Sequence, residues 1–444
     1  MRRQRASAVL LAAILVPAVM ALCAAAASAQ DRVPRPEFSS GYQEPGVTTP
    51  PPRAEWLQYL DVAALGAGLC AAGWLGLRGR SRAGIFLLGA ASIAYFGFFR
   101  KGCICPIGAI QNASLALADP GYALPFAAVV FLALPLAAAL VGGRAFCSGV
   151  CPFGALQDAV IIHPLRLPRW LTRALGFLPV IYLALSVLFA AEGAGFVICR
   201  FDPFISFFRL GGTPSMLALG AAFLVLGTVV ARPYCRFLCP YGAILGALSR
   251  LSYRHPTISP DSCVQCGLCE GACPVDAIRA PEHPPSAPPS RKERRAFAAA
   301  AAALPLAVML GTFTGLLAAP YLAAAHPTVR LAIQVQREDS GLTRQTTLES
   351  ETFRGTRTSA QDLQASAARV RSGFAFGTPI AGGFLGLVLG LKVLATFVRP
   401  RRTEYQMDRA ACVGCGRCFS YCPRERLRLR ESRPLRGPWQ GGRG

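Results

Sequence analysis

Charge is scarce in this chain. Only 16% of its 444 residues are Asp, Glu, Lys or Arg, and histidine occurs 4 times. Hydrophobic residues make up 53%, with a mean hydropathy of +0.41, which is too apolar for an ordinary soluble protein of this length. Signatures of hydrolytic and nucleotide chemistry are missing too: no Ser/His/Asp triad, phosphate loop or Rossmann glycine fingerprint can be read. The charge that is present is lopsided, 46 Lys and Arg against 23 Asp and Glu. No basic stripe interleaved with aromatics occurs away from the apolar runs. The excess therefore points to positive-inside topology and anionic lipid, and not to nucleic acid.

The apolar residues are gathered in runs. The N-terminus has the pattern of a secretory signal over 1–29: Arg2, Arg3 and Arg5, an apolar stretch, then Ala27-Ser28-Ala29 as a small-residue cleavage site. An uncleaved anchor helix is the alternative, and both put the Pro-rich linker over 30–56 outside the cytoplasm. Seven further segments follow at about 57–77, 83–99, 121–142, 174–191, 213–231, 297–320 and 378–398. Counted from outside, they put Arg78, Arg80, Arg82, Arg166, Arg169, Arg250, Arg254, the Arg291–Arg295 run, Arg399, Arg401 and Arg402 in the cytoplasm. Arg100 and Lys101 break the rule. The expected fold is mainly α: a polytopic membrane core over 57–255, and a hairpin over 291–400 with a periplasmic loop at about 322–377. That loop is polar and shows no motif. Two cysteine-rich segments, 256–290 and 401–430, are expected on the cytoplasmic side as halves of one small module, with a basic tail at 431–444.

There are 17 cysteines. Cys263, Cys266, Cys269 and Cys273 follow C-x2-C-x2-C-x3-C with Pro274 next, and Cys412, Cys415, Cys418 and Cys422 repeat it before Pro423. This spacing lets three thiolates wrap three irons of one cubane while the fourth reaches the other cubane. One [4Fe–4S] cluster is then expected on Cys263, Cys266, Cys269 and Cys422, the second on Cys412, Cys415, Cys418 and Cys273. Gly267 and Gly416 let the backbone approach. Two zinc sites or a disulfide set fit the doubled Cys-Pro spacing less well. A membrane hairpin between the quartets returns the chain to the same side, so the α+β module can be assembled from distant segments.

A second constellation recurs. Cys147-x3-Cys151-Pro152-Phe153-Gly154-Ala155 and Cys235-x3-Cys239-Pro240-Tyr241-Gly242-Ala243 are two copies of one unit. Cys103-Ile104-Cys105-Pro106 shares its latter part, and Cys199 with Asp202-Pro203 is a weaker relative. The topology puts Cys147, Cys151, Cys235 and Cys239 at an inner site and Cys103, Cys105, Cys199 and Asp202 at an outer one. Proline after cysteine starts a short helix whose positive end faces sulfur. Either site fits a metal cluster, copper, zinc or a reversible dithiol. Arg144, Arg232 and Arg236 neighbour the inner site; Arg100 and Lys101 beside an anionic outer cluster would explain their exceptional position. Cys23 and Cys70 read as ordinary apolar residues. His163, His255, Asp61 and Glu192 read as loop or span-end residues, and Gln111 and Gln157 as matched polar contacts following two Cys-Pro units.

These motifs resemble the NosR/NirI and NapH type of membrane polyferredoxin, over roughly 82–278 and the C-terminal quartet. The resemblance implies electron transfer at the bacterial inner membrane in support of a periplasmic reductase such as nitrous-oxide or nitrate reductase. The donor would be the quinol pool or a cytoplasmic carrier, in anaerobic respiration. The chain reads as a conduit and not as a stand-alone catalyst. A quinol dehydrogenase component, with a quinone site, and a copper or metal-centre assembly protein are the competing readings. The Ser/Thr-Gly-Ala-Thr motif for covalent flavin is absent, so bound FMN is not expected. A separate periplasmic flavoprotein, cytochrome or reductase would then be the partner.

Overall fold

The computed structural model describes residues 56–102, 106–258, 263–281, 291–343, 345–356, 358–397 and 404–431. The expected signal, the linker, Cys103, Cys105 and most of the basic tail lie outside these. Among the described residues five helices are long and apolar enough to cross a membrane: α1 (Trp56–Gly79), α2 (Arg82–Phe99), Arg169–Ala191, Arg291–Ala324 and Ala360–Phe397. Two shorter apolar helices, Phe126–Gly142 and Pro214–Val229, fall on the remaining expected segments.

Short helices open on the proline of every Cys-Pro unit and of its Asp-Pro relative: α3 (Pro106–Ala118), α4 (Pro152–Ala159), α5 (Pro203–Phe208) and α6 (Pro240–Ser249). Proline costs nothing at a first helical position, because that N–H would be unpaired anyway. The preceding residue is extended at Cys151, Asp202 and Cys239, and the last two cap the turn. Cys239 Sγ accepts from Gly242 N at 3.3 Å, and Asp202 Oδ1 accepts from Phe204 N at 2.9 Å. Asp202 thus does the capping job of Cys239. Such breaks survive in an apolar interior only when buried in protein; Phe153 and Phe204 above these caps are 1% and 0% exposed.

The hairpin α7 (Arg291–Ala324) and α8 (Ala360–Phe397) is longer than the apolar runs that announced it. Its helices meet through glycine at G-x3-G spacing, the arrangement that lets backbones touch. A Cβ on Gly382 would lie 2.2 Å from the Gly311 carbonyl oxygen, and one on Gly386 2.2 Å from that of Ala307. The intervening loop is also helical, with Pro327–Asp339 packing Val329, Ala332 and Val335 on Leu363 and Ala367 of α8. His326 caps it, Nδ1 accepting from Thr328 N at 3.1 Å while Nε2 faces the Glu192 carbonyl at 3.2 Å, which ties the loop to the core.

One expectation changes. Asp61 is no water-seeking span-end residue: it is 1% exposed, bonded to Arg100 at 2.9 Å and to the Tyr95 hydroxyl at 2.9 Å. Arg100 thus has a buried carboxylate as its partner.

Replacing Gly382 by Val should destabilise the hairpin by about 1–3 kcal/mol through overpacking, whereas Gly66→Ala, with nothing within 4 Å, should be silent. Thermal unfolding in detergent, read by size exclusion, distinguishes them.

Candidate metal centre

The two cysteine quartets come together. Antiparallel bridges pair Ile278 with Met407 and Arg279 with Gln406, and Asp408 N donates to the Ala277 carbonyl at 2.7 Å. Each quartet ends in a short helix, Leu268–Ala272 and Arg417–Tyr421, preceded by a glycine of positive φ, +73° at Gly267 and +72° at Gly416. Burial raises the Cys269 thiol, and the neighbouring charges of Cys263, Cys266 and Cys422 raise it further. Burial pushes Cys412 up to about 12, with Cys415 and Cys273 adding to it. Cys418 is raised for the same reasons, by burial and then by Cys415, Cys412 and Cys273. Cysteines of both halves are thus neighbours: Cys422 lies near Cys269, and both Cys273 and Cys269 lie near Cys418.

None of these thiols forms a disulfide. Buried thiols this hard to ionise need a cation to become thiolates. No group of three Cys, His, Asp or Glu among the described residues is close enough for a single metal ion. A cubane asks for something wider, one thiolate per iron around four irons. The donor set fits it.

The second quartet sits directly on the membrane core. Arg82 donates to the Cys415 carbonyl at 2.9 Å, Arg144 to that of Ala410 at 3.1 Å, and Ser249 to that of Arg409 at 2.9 Å. Val275, Ala277, Val413 and Cys415 belong to the same buried core as Leu65, Phe146 and Cys147. The first half, whose Val275 and Ala277 share that core, is also tied at its surface by half-exposed Arg166 against Glu270 and Asp276 at 3.7 and 3.5 Å.

One carboxylate organises the junction. Asp158, 4% exposed at the end of α4, faces Arg82 from α2, Arg232 at 3.5 Å and Arg417 of the second quartet at 3.7 Å. Burial works to raise its carboxyl, but Arg232, Arg82 and Arg417 outweigh it and hold it below the usual carboxylate range. Arg232 is 1% exposed, in a left-handed conformation (φ +49°) that a bulky residue adopts only when its surroundings hold it there. It lies within reach of the charges of Cys415, Cys235 and Cys147, between the second quartet and the inner Cys-Pro units.

Those inner units exchange contacts. Arg232, three residues before Cys235, donates to the Cys147 carbonyl at 2.5 Å, and Arg144, three before Cys147, donates to the Gly242 carbonyl at 3.1 Å. Cys147 is buried; Cys151, Cys235 and Cys239 are half-buried. The outer and inner levels are joined inside the protein. Tyr234, beside Cys235, donates its hydroxyl to Asp202 Oδ2 at 2.8 Å, and Phe153 stacks on Phe204 at 5.7 Å. Of the outer residues, Asp202 is 3% exposed and Cys199 is exposed. His163 is exposed, while His255 borders a small open cleft with Arg144, Arg409 and Cys412, walled by Gly73, Gly76 and Gly142. The sequence had given that cleft no sign, because its small-residue wall comes from two distant helices.

Apolar helices, grouped thiols and buried arginines are what a membrane-bound 4Fe–4S protein of the ferredoxin type would need. Two family models, each described as a 4Fe-4S binding domain, match: one over 124–177 and again over 213–259, the other over 256–279. The doubled match takes one inner Cys-Pro unit each time. The chain is similar to YccM of Escherichia coli (strain K12), 27% identical over 38% of this chain and 52% of that one. It is similar to the methylamine utilization ferredoxin-type protein MauN of Paracoccus denitrificans, 33% over 32% of this chain and 52% of that one. It is also similar to the regulatory protein NosR of Pseudomonas aeruginosa, 28% over 43% of this chain and 29% of that one. The matched stretch spans about half the length of the first two. The resemblance to the NosR and NirI type therefore holds. No solved structure matches.

Replacing Asp158 by Ala should cost about 3–5 kcal/mol, since three guanidinium groups lose their counter-charge. Its depressed carboxyl stabilises the fold above the normal carboxylate range, and this contribution is lost as pH falls through the folded value. The check is a pH series of melting curves: wild type loses this part of its stability as pH falls through the folded value, and Asp158→Asn, lacking the carboxylate, shows no such acid-dependent loss.

Proposed function

We propose that this chain conducts electrons through a membrane, between two [4Fe–4S] clusters on the cysteine quartets and the intramembrane Cys-Pro site, toward a redox partner on the far side. One cluster belongs to Cys263, Cys266, Cys269 and Cys422, the other to Cys412, Cys415, Cys418 and Cys273. Cys147, Cys151, Cys235 and Cys239 hold a further iron–sulfur cluster. When bound, such clusters supply one-electron carriage with little rearrangement.

The observation that carries the reading is a set of buried arginine nitrogens without hydrogen-bond acceptors among the described residues: Arg144 Nε, Arg236 Nη1 and Arg417 Nε. Unpaired buried donors are costly. All three side chains lie beside the thiols: Arg144 by Cys235, Arg236 by Cys273 and Asp276, and Arg417 within the second quartet. Asp158 and Asp276 leave these nitrogens without hydrogen bonds. Thiolate-bound clusters are anionic and present sulfur acceptors, so they supply what the site is short of. Seven spans with the ferredoxin module in the cytoplasm, the far side being periplasmic, complete the reading. A respiratory reductase of the nitrous-oxide or nitrate class is the partner it favours.

A quinol-oxidising variant of the same reading is supported by the cleft at His255. It opens beside Cys412, pairs an apolar wall of small residues with His255 and Arg409, and would put a quinol headgroup next to the second cluster.

Anaerobically purified protein should contain more iron than two cubanes account for, and Cys151→Ser with Cys239→Ser should remove the excess alone. Iron limited to two cubanes in wild type would sink the intramembrane relay. In proteoliposomes, quinol should bleach the clusters, and His255→Ala should slow this at least tenfold; bleaching unchanged by that variant would leave the cleft without a role.

A further inference from the structure

Gln157 is held more firmly than a filler amide needs. It is 0% exposed. Its Oε1 accepts from the backbone N–H of Tyr234 at 3.0 Å, which fixes the amide's orientation and turns Nε2 the other way. One Nε2 hydrogen goes to the Phe153 carbonyl at 3.0 Å, its own helix; the other points at Cys235 Sγ at 3.2 Å. Every polar atom of the side chain is thereby used, and one bond is spent on sulfur. A thiol is a weak acceptor, so a locked N–H aimed at it makes sense for a thiolate. The repeat-related Gln111, also 0% exposed, places Oε1 3.8 Å from Cys199 Sγ. Each glutamine, six residues beyond the capping position of its own unit, thus addresses a cysteine of another unit.

We propose that Gln157 is a positioning residue that sets the reduction potential of the inner cluster by donating a hydrogen bond to the Cys235 sulfur. The proposal rests on the reading that Cys147, Cys151, Cys235 and Cys239 hold a cluster. Hydrogen bonds to ligand sulfur are among the levers on cluster potential. The direction follows from charge: the reduced cluster is more negative, the donor stabilises it more than the oxidised form, and so the potential rises. The consequence is that the inner site is a better electron acceptor than it would be without Gln157.

The test is an anaerobic redox titration of the full-length protein in detergent, followed by electron paramagnetic resonance, with iron counted on the same samples. Cys235→Ser identifies the inner-cluster signal. In Gln157→Leu the inner potential should fall, with about a tenfold shift in the reduced-to-oxidised ratio at fixed ambient potential, about 59 mV for a one-electron couple. Gln157→Glu keeps the shape and the acceptor for Tyr234 but replaces the donor by a negative charge. It should fall further at unchanged iron content, and it decides the matter if the leucine variant does not fold. Full iron with an unmoved inner potential in both variants overturns the role of Gln157. Wild-type iron no greater than two cubanes removes the inner cluster itself, and the underlying reading with it.

Discussion

Three arginines converge on the single carboxylate of Asp158, and the rest of the arrangement hangs on that imbalance. Arg82 brings the start of α2, Arg232 the second Cys-Pro unit, and Arg417 the last cysteine quartet. Burying so many cations around one anion is unfavourable in isolation. It becomes sensible where further negative charge is supplied by metal-bound sulfur. The same arginines then do two things at once: they fasten the ferredoxin-like segments to the membrane core, and they line the gap between neighbouring thiol groups. Docking and wiring share one set of side chains.

The membrane core answers a different difficulty. Short helices starting in the interior leave backbone groups that lipid cannot satisfy. Here Cys239 and Asp202 close the starts that follow them, and arginines from the opposite repeat take up the carbonyls of Cys147 and Gly242. The reciprocal pattern explains why the Cys-Pro unit occurs twice with an arginine three residues ahead of its first cysteine. Neither copy can be completed by its own sequence.

Much of this was legible beforehand. The apolar runs marked the long helices, and prolines marked the starts of the short ones, because both signals are local. The two quartets were recognised from their spacing alone, and the bridges of Ile278 and Arg279 to Met407 and Gln406 bring the two halves together. What could not be read is what depends on distant partners. Asp61 resembled a span-end residue until Arg100 and Tyr95 were found against it. Asp158 carried no motif at all. Gln111 and Gln157 matched in position, but the sulfur each addresses lies in another unit. The helical nature of the polar loop escaped because its apolar stripe, Val329, Ala332 and Val335, is sparse among charges. The glycine spacing of the hairpin was there to be noticed and needed only the geometric argument.

The glycine-lined hairpin between the two halves has a temporal meaning. Ile278 cannot meet Met407 until the ribosome has delivered everything between them, including both long helices. The ferredoxin-like unit is therefore among the last parts to close, after membrane integration of the preceding chain. Iron delivered earlier would meet an incomplete set of thiols, so cofactor maturation is tied to a finished, correctly threaded polypeptide. A chain stalled or mis-inserted at the hairpin would remain without its metal and be open to disposal.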